Sequence, residues 1–499
     1  MGLGIAALLP ILLVLLLMLA LRWSAARAGL VGVGLAVLIA VWWFGFGFTP
    51  GEPGLVNGSL GVVLEAGFSA LTILWIIFPA LCIHQLQLRT GALVILQRGL
   101  GQLSDNPRIL VLLVAWFFAL FIEGAAGFGT SAALAAPFLV SVGFAPVQAV
   151  SIALVGHAVG VSFGAVGTPV AAQAATSGLS GLEIGAATAP YHLLLGWMIP
   201  FVLLILAGSA GRRPRPSDWG WAALAGLSFL LPYFLLAKYL GPELPTLGGA
   251  LAGGLVFVWA LRLRRTSQHS TVSAAQVVRA AAPYLVLVGL VLLTRLVPVL
   301  REALQHLELS WMLFGRFEGS FAPLYHPGTL LLIGFLAAAW WQRATPADLL
   351  SAVQTATLQL VGVALALLAM LSLSRLMVHA DMIGALAEAA ANALGHSWPL
   401  LAPWVGVLGT FVTGSATASN ILFSEFQQAT AQTLGLPVAA MLGAQGFGAA
   451  VGNIICPHNI IAAGATVALV GQEGAVLRKT LGICLLYVGL GGLLVWLFI

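Results

Sequence analysis

Apolar residues run along this chain in long blocks, interrupted by short polar or glycine-rich stretches. Blocks of about 20 apolar residues are what a helix needs to cross a bilayer. They are predicted at residues 3–21, 29–48, 61–86, 109–122, 131–142, 146–170, 191–209, 218–237 and 246–261. Further ones follow at 280–298, 327–342, 352–373, 399–412, 414–434, 437–470 and 480–498. The fold class predicted is an all-α polytopic membrane protein of about 12–16 transmembrane or re-entrant segments, since only helices satisfy their own backbone in lipid. Residues 296–326, the longest polar connection, are expected to form an ordered external loop, and the amphipathic stretch 374–396 an interfacial or partly broken helix.

Two interruptions differ from the rest. Ile122 to Thr130 reads Ile-Glu-Gly-Ala-Ala-Gly-Phe-Gly-Thr, a carboxylate and three glycines inside apolar sequence; Thr413 to Asn420 reads Thr-Gly-Ser-Ala-Thr-Ala-Ser-Asn. Polar, helix-weakening sequence at membrane depth is tolerated only where it packs in protein or lines a cavity. A second break follows each, at 156–170 and at 445–459. The chain thus divides into halves, 1–270 with its motif at 121–131 and 271–499 with its motif at 413–423. The first motif is approached from the basic side after Arg108 and the second from the opposite side after His396. Paired breaks in opposite orientation predict inverted-topology repeats with broken helices.

Composition narrows the class. With 61% hydrophobic and 7% charged residues, no soluble domain is expected. The net charge of +5 does not indicate nucleic acid, because the basic residues sit in small clusters at the ends of apolar blocks. Alternation puts 15 of the 20 on one side: Arg22, Arg27, Arg89, Arg98, Arg108, Arg212, Arg213, Arg215, Arg262, Arg264, Arg265, Arg279, Arg343, Arg478 and Lys479. The positive-inside rule then predicts both termini outside. The first apolar block has no basic region before it and is read as a span, not a secretory signal. Cys82, Cys456 and Cys484 are isolated, no metal-ligand spacing occurs, Gly127-Phe-Gly129 lacks the strand and spacing of a dinucleotide fold, and no Walker lysine is present. No cofactor or metal is expected.

Phe121-Ile-Glu-Gly-Ala-Ala-Gly-Phe-Gly-Thr130, Phe163-Gly-Ala-Val-Gly-Thr-Pro169, Gly414-Ser-Ala-Thr-Ala-Ser-Asn-Ile-Leu-Phe423, and Leu74-Trp-Ile-Ile-Phe78 followed by Arg89-Thr-Gly-Ala92 together resemble the L-lactate permease family. The resemblance implies a secondary carrier in a bacterial cytoplasmic (inner) membrane that moves lactate, and in some members glycolate, together with protons. The second motif departs from the family pattern, with Ala416 and Ala418 where an acid and a serine are expected.

A small hydroxycarboxylate needs donors for its carboxylate and a partner for its hydroxyl. Half-helices starting near Gly124, Gly127 and Gly129 and near Ser415 would aim N–H groups at an anion. Thr130, Ser131, Thr417, Ser419 and Asn420 add hydroxyls and an amide, and His458 and Asn459 are expected to line the second repeat's break. Glu123 is the expected proton carrier, because an intramembrane acid is functional by default and cannot easily stay ionised beside a bound anion. It could instead cap a half-helix or pair with His157. His157, Glu65 and Glu425 are further proton-coupling candidates, and Arg375 is either the anion's countercharge or a side chain snorkelling to an interface. The expected partners are a lactate-like anion, protons and the lipid bilayer, and the sequence sets no oligomeric state. The alternatives are a sodium-coupled carrier of another organic anion, an integral-membrane enzyme and a channel; the polar residues lie in paired mid-span breaks, not in an interfacial catalytic cluster.

Overall fold

Helices begin where the sequence supplies caps. Ser180, Ser273 and Thr345 each accept the backbone N–H three residues on, from Glu183, Gln276 and Asp348, whose side chains return to the cap's own N–H. This reciprocal box satisfies donors that the first turn leaves unpaired. Pro107, Pro146, Pro327 and Pro457 open other helices at positions where a missing N–H costs nothing. The computed structural model describes residues 2–21, 23–48, 53–127, 129–208, 215–263, 272–469 and 472–499. Arg22, Arg212, Arg213, Arg264 and Arg265, counted above on the basic side, and Phe128 of the first motif lie outside the described residues.

Almost the whole of it is helix. Among the described residues, ten helices are long and apolar enough to cross a bilayer, or eleven if Gly181–Leu195 and Met198–Gly208, bent by 47°, make one span. Other blocks expected as spans are shorter: Thr130–Ser141 has 12 residues and Trp398–Thr413 has 16. Each instead packs against its sequence neighbour, so residues 107–141 and 398–434 form two helical hairpins. Residues 296–326 are ordered, holding the helix Pro298–Gln305 and an antiparallel pair, Leu309–Leu313 with Phe317–Phe321. Phe317 is buried against Gly61, which seats this strand pair on the helix Leu55–Arg89. The amphipathic stretch 374–396 is split: Pro346–His379 runs through its start, the chain turns at Ala380 and Asp381 (φ 58°), and Met382–Leu394 follows.

Packing sorts the helices into two groups. The first holds residues 2–101 and 274–394, and is built on the antiparallel pair Leu55–Arg89 and Pro346–His379. At 35 and 34 residues these helices are about 50 Å long, well beyond the roughly 30 Å hydrocarbon layer. Polar contacts fix their register at one end, where Arg89 donates to Thr355 at 3.0 Å, and at the other, where His379 and Glu65 meet at 2.7 Å. The second group, residues 107–263 and 398–498, contains both hairpins and both later breaks. It meets the first group chiefly where Ala416–Leu434 lies against Met382–Leu394 and Pro346–His379, and where Gly164–Ser177 lies against Leu55–Arg89.

Candidate functional site

The first hairpin descends through Pro107–Val111, a π-helical stretch Leu112–Phe118 and Ala119–Ala125, then breaks. π-Helical turns often occur beside functional residues, and here the next turn carries Glu123. At the tip Gly127 (φ 59°) and Gly129 (φ 76°) are left-handed, which glycine adopts without a Cβ penalty. The Thr130 hydroxyl donates to the Gly127 carbonyl at 2.7 Å, closing the tip at the start of Thr130–Ser141. Glu123 is buried, and one of its oxygens accepts the Ser131 hydroxyl at 2.7 Å. Its other oxygen approaches Gly164 of the adjacent break, where any Cβ would lie 2.5 Å from it.

The second hairpin repeats this plan. Gly414 (φ 77°) ends Trp398–Thr413, and Ser415 caps Ala416–Leu434 by accepting the Ala418 N–H. Gly414 rests against His458, the second residue of Pro457–Ala465.

Both tips line one cavity of about 1530 Å³. That exceeds the roughly 300–1,000 Å³ of closed small-molecule sites, as suits an open vestibule with the two tips in its wall. Around them stand Glu123, Thr130, Thr413, Ser415, Thr417 and Asn453, with His84, His458 and Arg27 as basic groups and Ile77, Leu81 and Met370 as an apolar wall. Two helix N-termini therefore face the same space, an arrangement that suits an anion.

A second cavity, of about 1250 Å³, lies beyond the break at 164–167. Ala165 (φ 43°), Val166 (φ 55°) and Gly167 (φ 81°) are all left-handed. Such conformations cost about 1–3 kcal/mol for residues with a side chain, more readily found at functional sites than elsewhere. Ala165, Thr168 and Pro169 line the first cavity, while Val166 and Gly167 line the second, so this strained turn is part of the wall between them.

The residues expected at the site divide accordingly. Glu123, Gly127, Gly129, Thr130, Ser415, Thr417 and His458 line the first cavity. Ser131 stands behind Glu123, and Asn459 donates to the lining residue Asn453 at 2.6 Å while crowding Gly129. Three have packing positions. Gly124 permits close contact with Leu247; Ser419 donates to the Gly406 carbonyl at 2.9 Å; and Asn420 donates to the Pro169 carbonyl at 3.1 Å, tying the second hairpin to the first half's break. His157 is buried near Glu123, with Nδ1 on the Ala153 carbonyl at 2.9 Å and Nε2 without a hydrogen-bond partner.

Glu65, Arg375 and Glu425 converge elsewhere. The Arg375 guanidinium meets Glu425 at 3.0 Å and Glu65 at 3.3 Å and donates to the Ala175 carbonyl. His379 closes on the other Glu65 oxygen at 2.7 Å, and Ser374 donates to Glu425 at 3.1 Å. Glu65 and Arg375 line the second cavity, so in this conformation Arg375 is the partner of two carboxylates and not a countercharge at the tips. Sequence reasoning passed over His84, Gln85, Thr168 and Asn453 on the first cavity's wall. Asn453 lies inside the break marked at 445–459, and His84 is an ionisable residue in an apolar block, so both carried a usable signal.

The L-lactate permease family model matches residues 4–322 and 317–499. An L-lactate permease of Streptococcus iniae is 30% identical over 87% of this chain and 92% of its own, and one of Escherichia coli K12 is 27% identical over 88% and 87%. A glycolate permease of Escherichia coli K12 is 26% identical over 99% and 95%. Among solved structures, the YdaH transporter of Alcanivorax borkumensis superposes with a TM-score of 0.56 at 16% identity, covering 95% of this chain and 98% of that one. The MtrF efflux pump of Neisseria gonorrhoeae gives 0.56 at 15%, covering 94% of each. These two establish likeness of fold alone. With its helical hairpins, its facing cavities and a family match along nearly its whole length, this chain belongs to the L-lactate permease family and is an integral-membrane transporter, not an enzyme.

Proposed function

We propose that this chain imports lactate-like 2-hydroxy monocarboxylates together with protons by alternating access, with the substrate held between the two hairpin tips. One observation carries this above the others: both tips and Glu123 line the same cavity. The substrate carboxylate would take N–H groups at the starts of Thr130–Ser141 and Ala416–Leu434, with Thr130, Ser415 and Thr417 beside them. Its hydroxyl would be met by Asn453 or His458. Two like charges 4 Å apart repel by about 4 kcal/mol at an effective dielectric constant near 20. An ionised Glu123 would therefore oppose the anion, and a protonated one would admit it. That reciprocity is the coupling that symport requires.

Alternating access has its support in the strained wall. A turn that already sits outside the ordinary backbone basins, between two cavities, is where a small rearrangement changes which of them reaches the site. The distribution of basic residues supports an orientation in a bacterial cytoplasmic membrane with both termini outside. In that orientation the first cavity, with Arg27 on its wall, opens inward, and the second opens outward beneath the strand pair.

The test is uptake of labelled L-lactate by proteoliposomes under an inward proton gradient without sodium. Uphill accumulation, inhibited by unlabelled glycolate, is expected. Accumulation that needs sodium and ignores the proton gradient would replace the coupling ion; no uptake under either gradient would remove lactate as the substrate.

A further inference from the structure

Ion pairs join the two helix groups at the second cavity. Arg295 of Ala274–Leu296 meets Glu243 of the second group at 2.6 Å, and Arg375 meets Glu425 at 3.0 Å. The latter contact belongs to a cluster whose members sit on both sides of the boundary. Glu65, Ser374, Arg375 and His379 come from the two long helices of the first group; Glu425 comes from the second hairpin, and the Ala175 carbonyl from the helix after the strained turn.

Charge counting gives the cluster an odd member. Glu65 and Glu425 are both buried, and they share one guanidinium. An unbalanced carboxylate in such surroundings is expensive, so one additional proton brings the cluster to neutrality, whether it resides on the imidazole or on a carboxylate oxygen. His379 stands 2.7 Å from Glu65 with the Phe317 ring against it, and the Arg316 guanidinium bonds its carbonyl at 2.8 Å. Across the cavity are Glu318, Arg301, His326 and the Arg295–Glu243 pair. Burial, with Arg295 beside it, pushes the His326 imidazole down to about 4, so it stays neutral across the physiological range.

We propose that the Glu65–Arg375–His379–Glu425 cluster is a second proton-binding site, whose proton leaves on Glu425 when the second hairpin moves. This rests on the symport proposed above and extends it. If the groups separate at this cavity, Arg375 stays with Glu65 and forms a neutral pair with a neutral His379. Glu425 loses both its cation and the Ser374 hydroxyl, which stay with the first group. The cluster's proton then resides on a Glu425 oxygen, and the transfer balances with no other reactant. Movement of the hairpin and movement of one proton become a single event.

The experiment compares wild type with Glu425→Gln in proteoliposomes, reading lactate exchange at equal pH on both sides and accumulation driven by an inward pH gradient. A one-unit gradient supports about tenfold accumulation per coupled proton. Because glutamine mimics the protonated acid permanently, exchange is expected to continue while pH-driven accumulation falls by about tenfold. Glu425→Asp, which keeps a titratable group, should restore most of it. Equal accumulation by wild type and Glu425→Gln would overturn the proposal. So would parallel loss of exchange and accumulation in a variant that melts like wild type, since Glu425 would then serve movement alone. Should Glu425→Gln fail to fold, Glu65→Gln, which leaves Arg375 a single carboxylate and removes the need for the extra proton, faces the same two readings, and its equality with wild type would equally overturn the site. Wild type that shows no proton-driven uptake would instead overturn the symport itself, and this site with it.

Discussion

Arg375 shows how far a residue's role depends on what the fold brings to it. Its guanidinium satisfies two carboxylates and a carbonyl at once, which uses the planar fork of arginine and not merely its charge. Removing one partner of a buried ion pair typically costs about 3–5 kcal/mol, because the remaining charge is stranded. Arg375→Ala is therefore expected to lower the unfolding temperature of the detergent-solubilised protein strongly, and Arg375→Lys to recover only part of that loss; an alanine variant as stable as wild type would show the cluster to be solvated. In the sequence this arginine could be read only as an isolated cation near the end of an apolar block. Its partners are 310 residues before it and 50 after it, and no local pattern joins them. Glu123 was legible because its context is local: a carboxylate and three glycines in one apolar stretch need no distant partner to look unusual.

At the scale of elements, the two hairpins are where a hydropathy pattern falls short. Apolar blocks of 12 and 16 residues resemble short spans, and what turns them back is glycine at the tips, whose left-handed backbone is readable only as permission. The break at 156–170 was visible as glycine-rich sequence, but not that Ala165 and Val166 would share the left-handed conformation with Gly167. That conformation is held from outside, by the Pro242 carbonyl against Gly167 and by Asn420 on Pro169. A Cβ at residue 167 would lie 2.6 Å from the Pro242 oxygen, at a φ of 81°. Gly167→Ala should cost about 1–2 kcal/mol from backbone strain before the clash is counted, and is expected to lower both the melting temperature and the rate of exchange. A variant with normal exchange would remove this wall from the transport cycle. The helices Trp398–Thr413 and Val438–Gly452 cross as closely, through Gly406, Gly448 and Gly452. Gly448→Leu should overpack that crossing by about 1–3 kcal/mol, read as loss of monodisperse protein on purification.

For the whole molecule, two helix groups enclose a cavity on each side of one strained wall, and ion pairs hold the groups together at the strand-pair side. The orientation proposed from the basic residues makes this an inward-open state. A cysteine replacing Ser310 on the strand pair is then expected to react with an impermeant maleimide on intact cells. One replacing Ala418, on the wall of the tip cavity, is expected to react only from the inner face and to be protected by lactate. The reverse pattern would invert the orientation.

The central claim is that substrate anion and proton meet at Glu123 between the hairpin tips. The most direct measurement is the number of protons taken up from a weakly buffered solution when L-lactate binds to the purified protein, for wild type and for Glu123→Gln. Linkage predicts uptake of up to about one proton per lactate bound by wild type, largest where Glu123 is mostly ionised in the free protein, and none by the variant. Equal uptake by the two proteins would place the coupling proton on another group and contradict the account.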